Sequence, residues 1–194
     1  MATTLLERIA LADPARAETI AGHDIAVAEV PVPFWKRFRL VRVMVQLRYR
    51  PLLLRYADDG ERAIAIGHKE GLYTVNREEG LILSTTSDAE AYVRFWFEDG
   101  GEPLAYLAED AGQLGWFADE DMDDNERKAK EAARPLTHPV VVTEHPGGGF
   151  DVEAVAVDQR ALVNYRLHVA GDGTVTVNER RTLVEGIPVP YVMP

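Results

Sequence analysis

Cysteine is absent from this 194-residue chain, which removes disulfide frameworks, thiol nucleophiles and cysteine-held zinc or iron–sulfur sites. Serine occurs only at Ser84 and Ser87. Neither stands in a nucleophile-elbow pattern, and Ser87 is placed to cap a helix, so serine hydrolase chemistry is disfavoured. No apolar run approaches the ~18 residues of a membrane span, and Met1 to Pro14 carries Glu7 and Asp13 instead of a signal-peptide core, so a soluble, cytoplasmic protein with no membrane partner is expected. Basic charge is also short: 32 acidic against 21 basic side chains leave a net charge of -11. Such a field repels phosphate backbones, and nucleic acid is not expected as a partner. Gly147, Gly148 and Gly149 lie between two strand patterns with no helix behind them, so they read as a hairpin loop and not as a phosphate cradle.

What is present is ordinary for a folded protein. A hydrophobic content of 46% with 27% charged residues excludes a wholly disordered chain, and a chain of this length buries about 70% of its unfolded surface. One domain over 1–194 is expected, with sub-structure at 1–83 and 84–194.

The most strongly patterned helical stretch is Ser87 to Gly101. Ser87 with Glu90 makes a capping box and Gly100 offers a stop, while Tyr92, Phe95 and Trp96 share a face that Ala89, Val93 and Phe97 widen to most of the circumference. Such a helix must be covered on nearly all sides. Two short helices are expected before it, Thr4 to Ala12 and a second capped by Asp13, with Pro14 at its start and Gly22 at its end.

The clearest β signal runs from Arg39 to Arg50, where Val41, Val43, Val45 and Leu47 alternate with polar or larger residues. A strand over His23 to Val30 precedes it. A hairpin, Leu52 to Tyr56 and Arg62 to Ile66 around an Asp-Gly turn, follows. Gly67 to Leu83 shows only short apolar strips. Leu104 to Leu107 reads as a strand, Glu109 to Leu114 as a helical turn, and Glu126 to Arg134 as an exposed helix with opposite charges four apart. From Pro135 the pattern is a β-meander: Pro139 to Thr143, Phe150 to Val157, Arg160 to Val169 and Thr174 to Asn178. The prolines at 188, 190 and 194 keep the tail out of a central strand. The class is therefore α+β: a curved, mostly antiparallel sheet packed on a central aromatic-rich helix, with a small helical N-terminus. In element order alone, the second half resembles cone-shaped α+β folds such as the nuclear-transport-factor-like proteins.

Charge is segregated along the chain. Between Val30 and Ala57 there is no acid, while Lys36, Arg37, Arg39, Arg42, Arg48, Arg50 and Arg55 supply seven bases; Phe95 to Glu126 holds eleven acids and no Lys or Arg. Arginines on a sheet face can hold an anion in bidentate fashion, or simply pair with the surplus acids. Asp119, Asp121 and Asp123 begin like a calcium loop, but Asp124 replaces its glycine and Lys130 its closing glutamate. The five histidines show no zinc spacing, so neither metal nor cofactor is expected.

Two functional expectations follow. The first is a non-enzymatic binding or regulatory protein acting through contact with a protein partner, at Trp116, Phe117, Asp119, Asp121 and Asp123. The alternative is a small-molecule-binding protein or enzyme in which Arg42, Arg48, Asn164 and Arg166 hold a ligand and His168 serves as acid or base. Self-association into a fixed assembly is a third, weaker expectation.

Overall fold

The computed structural model describes residues 4–100 and 105–190. Among these, helices and antiparallel sheets both occur, and the chain is α+β with a small helical N-terminus. The strands form two sheets, not one, because each hairpin closes on its own neighbours and two helices separate the fourth strand from the fifth. Packing follows the same division: of the described residues, one compact unit holds the chain up to Leu81 with Asp99 and Gly100, and the other holds 82–98 and 105–190.

In the first unit, α1 (Leu5–Ala12) begins at Thr4, whose hydroxyl accepts from the Glu7 N–H while the Glu7 carboxylate takes the Thr4 N–H. Asp13 then caps α2 (Pro14–Ala21), with proline at its start. The strands β1 (Ile25–Val30), β2 (Arg39–Gln46), β3 (Pro51–Asp58) and β4 (Ala63–Ala65) lie in chain order in one antiparallel sheet. The predicted alternation in β2 is seen as burial: Val41, Val43 and Val45 pack with Leu54, Tyr56, Ile9 and Ile20. Arg8 of α1 grips Asp58 with two hydrogen bonds of 2.7 and 2.8 Å.

A helix not read from the sequence, α3 (Lys69–Glu79), follows β4. Its signal is weak because Gly71 and β-branched residues interrupt it, and because His68 supplies no side-chain cap. It buries Leu72, Val75 and Asn76 on one face and ends at Gly80, whose φ of 62° is left-handed. Its last residue, Glu79, accepts the backbone N–H groups of Lys36, Arg37 and Phe38 at 2.6 to 2.9 Å. Three orphan donors of the loop after the Pro31 and Pro33 corner are satisfied by that one carboxylate.

The second unit begins with the aromatic helix, α4 (Thr86–Phe95). Its cap is Thr85 with Asp88, two residues earlier than Ser87 with Glu90. Beyond Phe95 the last turn widens into a π-helical turn, Trp96–Gly100. The helix is covered as its composition requires: Tyr92, Val93 and Trp96 are fully buried, and the Phe97 ring meets Tyr165 edge-on at 5.3 Å. The remaining elements are β5 (Ala105–Leu107), α5 (Asp124–Ala133), β6 (Val141–Glu144), β7 (Phe150–Asp158), β8 (Ala161–Val169) and β9 (Val175–Glu185). Leu104 and the tail from residue 191 lie outside the described residues.

The second sheet runs β5-β7-β8-β9, with β6 also paired to β7. β9 is longer than the predicted Thr174 to Asn178 and crosses two register irregularities, one between Arg166 and Leu167 on the facing strand. Ile187 and Val189 return to the core beside Val155, Leu162 and Leu114. No helix among the described residues is long and apolar enough to cross a membrane.

Candidate functional site

Register assembles the site. On β6 to β9, Val141, Glu153, Arg166 and Glu179 stand opposite one another in a row across four strands, and Thr143, Asp151, His168 and Thr176 make the next row. On β6, β7 and β8 the two rows are two residues apart, so by the strand period they face the same way; on β9 the register irregularity leaves Thr176 and Glu179 three apart. All of these residues except His168 and Thr176 line an open groove of about 520 Å³ that also takes in Val152, Leu167 and Asn178. Its charge is one-sided: Asp151, Glu153 and Glu179 stand against Arg166 alone among its lining residues. Arg166 lies 3.4 Å from Glu179, and Asn164, which is buried, donates from Nδ2 to Glu153 at 2.8 Å. Across the strands the signs alternate, Glu153 opposite Arg166 and Arg166 opposite Glu179, pairings that favour the sheet and leave the surplus negative charge with Asp151 and one of the two glutamates.

At one end of the groove, three side chains from different segments meet. His168 of β8 is the direct cross-strand partner of Asp151 of β7, and its Nδ1 lies 3.5 Å from Asp151 Oδ1. His145 comes from the hairpin loop joining β6 to β7; its Nδ1 lies 2.9 Å from Asp151 Oδ2. The two imidazole rings cross edge-to-face with centroids 4.9 Å apart. The hydrogen bond from His145, reinforced by the nearby His168, holds the Asp151 carboxyl below its ordinary value.

The loop's glycines make this approach feasible. A Cβ on Gly149, whose φ is +79°, would sit 2.5 Å from the Val169 carbonyl oxygen and 3.1 Å from His168 Cε1; one on Gly147 would sit 3.2 Å from the His145 ring. At Gly149 only bare backbone fits, while a methyl at Gly147 would press on the His145 ring.

The predicted ligand residues are thus distributed. Asn164, Arg166 and His168 share the polar face of the second unit. Arg42 lies in the first unit, where its guanidinium holds Asp99 at 2.6 and 2.8 Å, with Arg55 adding a third bond at 3.2 Å. Arg48 lies over the ring of its neighbour Tyr49 at 5.4 Å. All residues lining the groove belong to the second unit.

The acidic loop is occupied with its own structure. Asp123 caps α5 by accepting from Asn125 and Glu126, and Asp119 pairs with Lys130 at 2.7 Å. Trp116 is half-buried, donating from Nε1 to the Ala111 carbonyl at 2.7 Å, and Phe117 is half-buried with Arg160 5.8 Å above its ring. Asp121 remains exposed.

Two members of the His145, Asp151 and His168 group were missed by reading spacings along the chain, because the set is assembled across a hairpin. The usable signal was there: an acid two places into one strand lies opposite the penultimate residue of the next, and a histidine begins the glycine turn beside them. Compared with known protein families, curated proteins and solved structures, the chain matches none.

Proposed function

We propose that this is a non-enzymatic binding protein that acts through protein contact, and that the groove across β6 to β9 receives a basic, extended segment of its partner. The carrying observation is the charge of the groove, three carboxylates against one guanidinium beside the exposed, apolar Val141. A lysine- or arginine-bearing strand complements both, and contact of this kind weakens with salt. The contact then lies away from Trp116 to Asp123, where Asp123 caps α5, Asp119 pairs with Lys130 and Trp116 donates to the Ala111 carbonyl.

The test uses a fluorescein-labelled peptide of alternating lysine and valine, with anisotropy read at low and high salt. Binding should fall about ten-fold or more in Glu153→Lys/Glu179→Lys and on raising the salt, and should persist when Asp119, Asp121 and Asp123 are reversed to lysine. Equal binding by the groove variant removes the proposal. A second reading, a small-molecule-binding protein or enzyme using His168 as acid or base, draws support from Asp151 standing directly opposite that imidazole. It requires that His168→Ala abolish an activity or binding that Glu153→Lys leaves intact.

A further inference from the structure

We propose that His145, Asp151 and His168 form a binding site for a divalent transition-metal cation of the zinc class. The proposal goes beyond the groove reading and does not depend on it, since neither histidine lines the groove. Each of the three residues offers one ligand atom, and these atoms all lie within 4.8 Å of one another.

In a tetrahedral zinc site with bonds of 2.0 to 2.2 Å, ligand atoms stand about 3.4 Å apart. On this cluster His145 Nδ1 lies 2.9 Å from Asp151 Oδ2 and His168 Nδ1 lies 3.5 Å from Asp151 Oδ1, distances on either side of that value. Side-chain rotation brings one ligand atom from each residue, now within 4.8 Å of one another, onto one point. Two imidazoles with a carboxylate select zinc, cobalt, nickel or copper over magnesium and calcium, which take oxygen ligands.

The set is also held in place from the backbone. β7–β8 register fixes Asp151 opposite His168, and the turn bonds His145 N–H to Gly149 O and Gly148 N–H to His145 O, at 3.0 and 2.9 Å, fold His145 back over them. The side chains are 29 to 48% exposed, so a cation reaches them from solvent and keeps coordination positions for water or for a group on a bound molecule.

The experiment is zinc titration of the full chain after exhaustive chelator dialysis, followed by calorimetry, with cobalt absorption in the visible as a second readout. One equivalent should bind saturably. His145→Ala and His168→Ala should each weaken binding about ten-fold or more, while His23→Ala and His138→Ala leave it unchanged. Far-UV circular dichroism on each variant separates lost ligation from lost fold. In the unaltered protein, ¹⁵N resonances of the His145 and His168 rings should move on adding zinc, whatever the variants do.

No saturable binding at one equivalent, or equal binding by the double histidine variant, would show the cluster to be a hydrogen-bonded surface group and overturn the proposal. Glu153→Lys/Glu179→Lys keeps all three ligands, so metal binding should survive it. Loss of the peptide contact and loss of the metal site are thereby read separately.

Discussion

Asp99 offers the sharpest test of how the first unit is held together. Its side chain is 2% exposed and meets Arg42, 34% exposed, and Arg55, 16% exposed. Replacing it with asparagine keeps the shape but removes the charge from between two guanidinium groups, and the amide N–H₂ can accept from neither. Removing one partner of a buried ion pair costs about 3 to 5 kcal/mol. Arg42 is a third exposed and can recover part of its hydration, so the expected loss for Asp99→Asn is about 2 to 3 kcal/mol. Urea denaturation of the full chain measures it, and hydrogen exchange read by mass spectrometry should place the lost protection in β2 and β3. The contrasting variant replaces the whole group: Asp99→Leu with Arg42→Met and Arg55→Met should come within about 1 kcal/mol of wild type, because no uncompensated charge is left behind. A loss under about 0.5 kcal/mol for Asp99→Asn, or an equal loss for both variants, would refute the idea that the charge holds the site.

Three further outcomes are expected. Gly71→Ala should destabilise by about 1 to 3 kcal/mol although alanine favours helices, because its methyl would run into the Ala65 carbonyl oxygen; a thermal midpoint that rises would show that α3 does not cross β4 so closely. Trp96→Ala should cost about 3 to 5 kcal/mol by equilibrium unfolding, since the ring is fully buried; a change near zero would mean that α4 is not covered. Burial works to raise the Glu79 carboxyl, but the N–H groups of Phe38, Lys36 and Arg37 outweigh it and hold the group below its ordinary value. A carboxyl depressed in the folded state stabilises above its unfolded value of about 4.3 and loses that contribution as pH falls through its folded value. The urea midpoint should therefore drop below about pH 4.5, and Glu79→Gln should flatten that part of the profile; an unchanged profile would assign the acid sensitivity elsewhere.

Local patterns read well from the sequence and pairings did not. Thr4, Asp13, Pro14 and Gly22 mark the first two helices because caps act within one turn of chain. The alternation in β2 and the core aromatics of α4 likewise needed only periodicity. α3 escaped because a glycine sits where alanine would have completed the pattern, and that glycine is required by a neighbour six positions earlier in sequence but touching in space. The end of β9 escaped for a similar reason: Glu179, Arg180 and Arg181 look like loop, yet all three are exposed positions of an edge strand, where charge discourages pairing with another chain.

The charge blocks along the chain illustrate why site reading from sequence stops short. A run of bases without acids looks like a surface waiting for an anion, but in the first unit Arg42 and Arg55 close on Asp99, Arg37 on Glu78, and Arg39 on Glu29. Opposite signs far apart in sequence were brought together, and the fold consumed the feature that composition made conspicuous. Asp151, Glu153 and Glu179 drew no notice because each sits among mixed neighbours, yet strand register places them along one open groove. What matters for binding is the charge left over after pairing, and in the second unit that remainder is negative on the same sheet face that presents His168. A basic segment and a divalent cation are both positive ligands for it. They meet at Asp151, so adding zinc to the peptide-bound protein should weaken the peptide contact if the cation neutralises that carboxylate, and leave it unchanged if Glu153 and Glu179 alone carry the contact.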